Sequence, residues 1–247
     1  MAKPYPIAEM FWSLQGEGVF TGTPMLFCRL AGCNVGAYLQ PEVIPNQELR
    51  ILREENPGLS VCTSALGQQF LCDTNYQAVE KLDLDGLFDA FTLYPPYEHL
   101  CITGGEPFLH DLGPIVARAN DRGIQVHVET SGTKPIPSTV GLANTWVTCS
   151  PKLTGDLPAQ LRANAVHIHE WKFVVDRSLG TPEEVIARIE DVLSLGGEDT
   201  DRSLVFVQAI NGVTSWVPEN MAFVLEVLKL APTWRFSGQY HKALGLR

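Results

Sequence analysis

Short runs of apolar, β-branched and aromatic residues recur along the chain at Met25–Leu30, Leu100–Thr103, Ile124–Glu129, Trp146–Cys149, Trp171–Val175 and Leu204–Gln208. Runs of this length, bounded by turn-forming residues, predict buried strands. Between several of them apolar positions return at helical period: Leu112, Ile115, Val116 and Ala119, then Val185, Ile186, Ile189, Val192 and Leu193, then Phe223, Val224, Val227 and Leu228. Helix ends agree. Thr181 and Glu184 frame Pro182 as a capping box, Asp111 is placed to cap the first of the three, and Gly123 and Gly196 are placed to stop the first and second.

Strands alternating with helices at a pitch of about 25 to 35 residues imply βαβ units and a parallel sheet, open or curled into a barrel. Functional side chains then belong at the C-terminal ends of the strands. The stretch Asn34 to Leu71 breaks the regularity: it holds one helix-like piece, Gln47 to Glu55, and otherwise reads as loop. With no tandem repeat and no shift of composition, residues 1–247 read as a single domain carrying a 35–71 insertion.

Composition narrows the function. Hydrophobic residues make up 45% of the 247 residues and charged ones 19%, enough apolar material to offset the entropy of ordering. A formal charge of -10 gives no basic field to gather phosphates, so neither nucleic acid nor an anionic membrane is an expected partner. The N-terminal residues lack the apolar stretch of a signal peptide, and no apolar run approaches the roughly 20 residues of a spanning helix, so a reducing cytoplasm is the expected compartment.

In that compartment the six cysteines read as ligands, catalysts or core residues rather than as a disulfide framework. Cys28, Cys101 and Cys149 are embedded in predicted strands and read as small buried hydrophobes. Cys33 and Cys72 lie outside predicted regular structure among polar neighbours, and Cys62 lies in the same excursion. Three thiolates converging on one loop would leave one corner of a 4Fe-4S cube open to an outside ligand. Three strand ends carry further chemistry. Thr103-Gly104-Gly105-Glu106-Pro107 pairs a close-approach glycine turn with a carboxylate able to accept from an ammonium group, while Glu129-Thr130-Ser131-Gly132 and Ser150-Pro151-Lys152 add hydroxyls and an amine. His99, His110, His127, His167 and His169 lack ligand spacing with the cysteines and read as packing or surface residues. Lys172 reads equally as an inward structural lysine or as a contact.

These segments, together with Leu14-Gln15-Gly16-Glu17-Gly18, Phe27-Cys28-Arg29-Leu30-Ala31-Gly32-Cys33-Asn34, Cys72-Asp73-Thr74, Lys172-Phe173-Val174-Val175 and Gln239-Tyr240-His241-Lys242, resemble the 7-carboxy-7-deazaguanine synthase family of queuosine biosynthesis, within the radical S-adenosylmethionine superfamily. The likeness spans nearly the whole chain. It implies a partial, modified TIM-like (β/α)6 barrel of the radical S-adenosylmethionine type. By resemblance, Cys33, Cys62 and Cys72 bind a 4Fe-4S cluster. Gly104, Gly105, Glu106, Ser131, Ser150, Pro151, Lys152, Gln208 and Asn211 surround S-adenosylmethionine. Leu14, Gln15, Gly16, Arg29, Thr103 and His241 hold a pterin, and Thr74 ligates Mg2+. A protein reductant such as flavodoxin or ferredoxin and a homodimer are implied in the same way.

The implied reaction is cleavage of S-adenosylmethionine by an electron from the cluster, hydrogen abstraction from C6 of 6-carboxy-5,6,7,8-tetrahydropterin, and ring contraction to 7-carboxy-7-deazaguanine with loss of ammonia. The radical chemistry is the cofactors', and no side chain is assigned a catalytic role. One departure stands out: the superfamily's cysteines usually follow C-x3-C-x2-C, whereas 28 residues separate Cys33 from Cys62 and 9 separate Cys62 from Cys72. Closing a loop of 38 rather than about 6 residues costs only about 1.5 to 2 kcal/mol, which metal–thiolate bonding can exceed. Two other readings fit parts of the pattern: another enzyme of the superfamily, such as a glycyl-radical activase, and a zinc-stabilised binding module.

Overall fold

In each of six strands the side chains alternate between an apolar row and a mixed row, and that alternation produces a sheet with two unlike faces. The computed structural model describes residues 3–35, 60–63, 69–72, 74, 76–141, 144–153, 157–197, 202–211 and 216–246; the helix-like piece Gln47 to Glu55 lies outside them, and for Cys62 the backbone alone is described. The strands are β1 (Tyr5–Leu14), β2 (Pro24–Leu30), β3 (Ser60–Thr63), β4 (Gln69–Cys72), β5 (Glu80–Leu82), β6 (His99–Gly104), β7 (Gln125–Thr130), β8 (Thr145–Cys149), β9 (Glu170–Val175), β10 (Val205–Ala209) and β11 (Arg235–Ser237). The helices used below are α1 (Leu84–Phe91), α2 (Gly113–Asp121), α3 (Ser138–Gly141), α4 (Leu161–Asn164), α5 (Pro182–Leu193), α6 (Pro218–Leu230) and α7 (Tyr240–Leu244).

Nine strands form one sheet in the order β11-β10-β9-β8-β7-β6-β2-β1-β5. From β2 to β11 every neighbouring pair is parallel. The sheet does not close, in agreement with a partial barrel. Beyond the predicted parallel units, β1 pairs antiparallel with β2 and β5 antiparallel with β1. The insertion also differs from the loop expected of it, since β3 and β4 pair as a separate antiparallel ribbon.

One face of the sheet carries the core. Leu26, Leu30, Leu100, Ile102, Val126, Val128 and Val147 pack with Leu87, Phe88 and Phe91 of α1 and with Ile115, Val116 and Ala119 of α2. Trp171, Phe173, Val175, Val205 and Val207 continue that layer against Val185, Ile189 and Val192 of α5 and Phe223, Val224 and Val227 of α6. Each buried Val, Leu, Ile or Phe among them contributes about 1.5 to 3 kcal/mol by burial. Cys28, Cys101 and Cys149 are buried, as expected of small core residues. The Thr181–Glu184 capping box with Pro182 forms as predicted. Asp111 is displaced by one residue from its expected role: Leu112 is the cap position of α2, while the Asp111 carboxylate still accepts from the Gly113 N–H at 3.1 Å. After α5 the left-handed turn falls on Gly197, φ +82°, rather than on Gly196. No helix among the described residues is long and apolar enough to cross a membrane.

The opposite face is mixed: a smaller apolar cluster of Met25, Phe27 and Cys101, with Phe11 and Phe20 against it, sits beside buried polar side chains of β6, β7 and β9. Phe20, from the connection between β1 and β2, sets its ring edge-on to His127 at 4.4 Å and to Trp146 at 5.1 Å. His99 and His127 share a hydrogen bond of 3.0 Å. Burial, with His99 alongside, pushes the His127 imidazole down to about 4. Because the unfolded group binds a proton below about pH 6.5 and the folded one only below about 4, the folded state loses stability as pH falls through that window. His127→Gln is expected to flatten the decline of urea-unfolding free energy between pH 6.5 and 4 relative to wild type; parallel profiles would place the acid sensitivity elsewhere.

Candidate functional site

The C-terminal ends of β2, β6, β7 and β8 meet at one rim. Gly32, just after β2, accepts from the Glu106 N–H at 3.0 Å, and a Cβ on Gly105 would overlap the backbone and Cβ of Cys33. Gly104 is required by the close approach of the Leu30 backbone on the neighbouring strand, and Gly105 is where a side chain would push Cys33 out of place. Glu106 is fully buried at this junction. Its oxygens accept from the Phe108 N–H at 3.1 Å, the Thr130 hydroxyl at 2.8 Å, and the Ser131 N–H and hydroxyl at 3.0 and 2.5 Å. Thr133 links the same cluster to Asn34 at 2.9 Å. Glu106 and Ser131, both expected around S-adenosylmethionine, are thus joined, and Glu106 also stitches β6 to β7.

Cys33 is half-buried at the rim, and burial raises its thiol, with the Cys72 thiol and Glu106 adding to the rise while the Val35 N–H and the Lys152 ammonium oppose it. Cys72, Glu106 and Lys152 consequently lie within electrostatic reach of Cys33. In the ribbon Ser60 pairs with Cys72 and Cys62 with Phe70, so the Cys62 position stands diagonally across from Cys72 in one alternating row. Thr74, half-buried, follows two residues beyond Cys72. Ser150 is tied to β7 through its N–H to the Thr130 carbonyl at 2.8 Å, with Pro151 and Lys152 next in the chain. A donor set of thiols on converging loops suits an iron–sulfur cluster. Among the described residues no group of three His, Cys, Asp or Glu side chains converges as a ready metal site; the Cys62 thiol lies outside them.

A second group lies on the mixed face of the sheet. Arg29, from β2, donates through Nε to Glu9 at 2.8 Å and through Nη1 to the Gly104 carbonyl at 3.4 Å. Thr103 and Gln15 both donate to Glu129, at 3.4 and 3.1 Å. Leu14 ends β1, so that Gln15 and Gly16 enter the site on the turn that follows. The tail comes to meet them: the Tyr240 N–H donates to the Gly16 carbonyl at 3.2 Å, and a Cβ on Gly16 would overlap the His241 ring. A side chain at Gly16 would therefore displace the His241 ring. Of the residues expected to hold a pterin, Gln15 and Thr103 meet on Glu129, Arg29 lies opposite Thr103 in the strand register and Gly16 meets His241, whereas Leu14 pairs with Pro24 at the other end of β2 from Arg29.

Gln208 and Asn211 make their hydrogen bonds with the β1–β2 connection, β11 and the tail. Gln208 donates to Glu17 at 3.3 Å and accepts from Ser237 at 2.9 Å; Asn211 contacts Gln239 and caps the approach to α6 through the Val217 N–H. Sequence reasoning also passed over several side chains that organise the face. Glu9, Glu17, Glu129, Glu170 and Gln239 received no role, and Lys172, left open, is 6% exposed and paired with Glu17. Their signal was present, since Glu129, Glu170 and Lys172 are charges at alternate positions of otherwise apolar strands. Burial raises the Glu170 carboxyl, aided by Glu129 and opposed by the Val19 N–H and Lys172. For Glu17 burial acts upward, but the Lys172 ammonium and donors including Gln239 outweigh it and hold the carboxyl below its usual range. Lys172, which burial alone would lower, is held well above the ordinary lysine range by Glu17, Glu129 and Glu170.

Comparison with known proteins fits this arrangement. The chain is 31% identical to the 7-carboxy-7-deazaguanine synthase of Escherichia coli K12 over 98% of its own length and 99% of the relative's. It is 29% identical to the enzyme of that name from Bradyrhizobium diazoefficiens, again over 98% and 99%. The crystal structure of QueE from Escherichia coli superposes with a TM-score of 0.64 at 28% identity, covering 95% of this chain and 93% of that one. No family model matches the chain.

Glu106→Gln would set an amide NH2 among donors that now share a carboxylate. It is expected to cost about 2 to 3 kcal/mol, a fall in melting temperature of about 5 to 10 °C. An unchanged melt would show that the junction does not depend on the charge.

Proposed function

Because the chain belongs to the 7-carboxy-7-deazaguanine synthase family, enzymes of the radical S-adenosylmethionine type, we propose that it converts 6-carboxy-5,6,7,8-tetrahydropterin to 7-carboxy-7-deazaguanine with loss of ammonia, and that it requires Mg2+. The observation that supports this reading is that two polar sets share strands β6 and β7. Cys33, Glu106 and Ser131 gather after the strand ends, with Cys72 and Lys152 within electrostatic reach of Cys33, while Thr103 and Glu129, on the strands themselves, meet Gln15 from the β1–β2 connection.

Cys33, Cys62 and Cys72 would hold the 4Fe-4S cluster, with S-adenosylmethionine along Gly104, Gly105, Glu106, Ser131 and Ser150 to Lys152. When bound, these groups supply the one-electron chemistry that opens the reaction. The protein's part is orientation. Arg29, its guanidinium braced by Glu9 and the Gly104 carbonyl, offers the rest of its planar donor fork to the substrate carboxylate. Thr74 presents a hydroxyl oxygen, the ligand type Mg2+ takes, beside that carboxylate. Gln15 and Thr103, both tethered to Glu129, set hydrogen-bonding groups against the pterin ring, while His241 and the tail cover it and keep water away. Such an arrangement fits a small enclosed substrate better than the protein substrate of an activase. A flavodoxin- or ferredoxin-like reductant, a homodimer and a cytoplasmic setting belong to the same reading.

Anaerobic reconstitution with iron and sulfide is expected to give brown protein absorbing near about 400 nm, as thiolate-held clusters do. With reductant, S-adenosylmethionine, Mg2+ and the carboxytetrahydropterin it should then form 5′-deoxyadenosine and the deazaguanine. Colourless protein containing zinc, or neither product, would sink the reading. Cys62→Ala is expected to abolish cluster assembly while Cys28→Ala leaves it intact; the reverse result would reassign the middle ligand. Activity unchanged after thorough chelation of Mg2+ would remove the metal from the proposal.

A further inference from the structure

Lys172 lies in the middle of β9 on the mixed face, 6% exposed, where a lysine needs a specific partner. Three carboxylates act on it: Glu17, Glu129 and Glu170. They are not equivalent. Glu129 and Glu170 sit on β7 and β9, fixed by the strand ladder, whereas Glu17 sits on the β1–β2 connection and reaches Lys172 from outside the sheet. The second oxygen of Glu17 accepts from Gln208 at 3.3 Å and from Gln239 at 3.1 Å. Gln239 is the residue before α7, and the next two residues supply the bond to the Gly16 carbonyl and the His241 ring against Gly16. A single relay of side chains therefore runs from β9 through Glu17 to the tail.

We propose that Lys172 is a positioning residue: by clamping Glu17 it seats the 239–241 tail on the Gln15–Gly16 turn and so closes the pterin pocket. Without the ammonium, three carboxylates would face each other across a desolvated space. The member free to leave is Glu17, because it alone is on a loop, and the tail would leave with it. The tail is also held by Trp216, which donates to the Gln239 carbonyl at 3.2 Å, and by Asn211, which donates to the Gln239 side-chain oxygen at 3.3 Å. That the pocket holds a pterin rests on the proposed function; that Lys172 seats the tail does not.

The test compares Lys172→Met with the double variant Glu17→Gln/Lys172→Met by amide hydrogen exchange and by steady-state kinetics of the reconstituted enzyme. In the single variant, amides of 15–19 and 239–246 are expected to exchange at least about tenfold faster while those of β6 to β8 are unchanged. KM for the carboxytetrahydropterin should rise about tenfold or more, with kcat altered much less. The double variant removes the charge of Glu17, leaves Glu129 and Glu170 with donors of their own, and keeps an oxygen for Gln208 and Gln239, so it should regain most of the protection and most of the KM. Wild-type exchange in the single variant would overturn the proposal. So would a folded double variant whose tail is as exposed as in the single, because the effect would then not run through Glu17. If Lys172→Met does not fold, the double variant decides: tail protection at the wild-type level supports the relay, and an exposed tail overturns it. Wild-type protein that binds no pterin would instead sink the substrate reading and leave the exchange result standing.

Discussion

Three carboxylates, Glu17, Glu129 and Glu170, face the one ammonium of Lys172 across the open side of the sheet. A set of charges like this can be buried only when each is held close to its partner and its remaining lone pairs are taken up. That requirement fixes much else in the molecule. It ties the β1–β2 connection to the middle of β9 and engages Gln208 and Gln239 as donors. It also gives Gln15 and Thr103 a fixed acceptor in Glu129. This face is consequently an organised surface and not merely the side of the sheet that helices failed to cover.

The same strands serve two purposes through their alternation. In β7, Val126 and Val128 enter the core under the helices while His127 and Glu129 face the other way; in β9, Trp171 and Phe173 go one way and Glu170 and Lys172 the other. Rigidity reaches the site by this route. A side chain borne on a strand whose opposite neighbours are packed against α2 or α5 has little freedom to drift, and binding geometry benefits from that restraint. Beyond the strand ends, the rim is made from loop residues, and there the buried carboxylate of Glu106 takes over the restraining role by joining the ends of β6 and β7.

Much of this was legible in the sequence. The six strands predicted from apolar runs are all present within a residue or two, because parallel strands covered by helices must be rich in Val, Ile, Leu and aromatic residues. β1 escaped the pattern: Tyr5–Leu14 contains a proline and polar positions at Glu9 and Ser13, and its pairing with β2 slips between Ile7 and Glu9. α1 escaped for another reason, its eight residues being too few for the period to declare itself although Leu87, Phe88 and Phe91 are buried. The rim motifs were readable because glycine and hydroxyl residues cluster locally. The Glu17–Lys172–Gln239 relay was not, because its members are far apart in sequence and each alone reads as an ordinary charged or amide residue.

The bond between Gln239 and Glu17 spans 222 residues, and that separation has a meaning for the chain as it is synthesised. Strands β2 to β10 can pair and bury their apolar rows as they leave the ribosome, each new unit docking on the previous one. The acids of the mixed face then wait, partly unsatisfied, for the residues that complete them. The contacts around Glu17 are consequently completed only after β10 has docked, and a chain that has not yet reached Gln239 can carry most of the core with this acid still short of a donor.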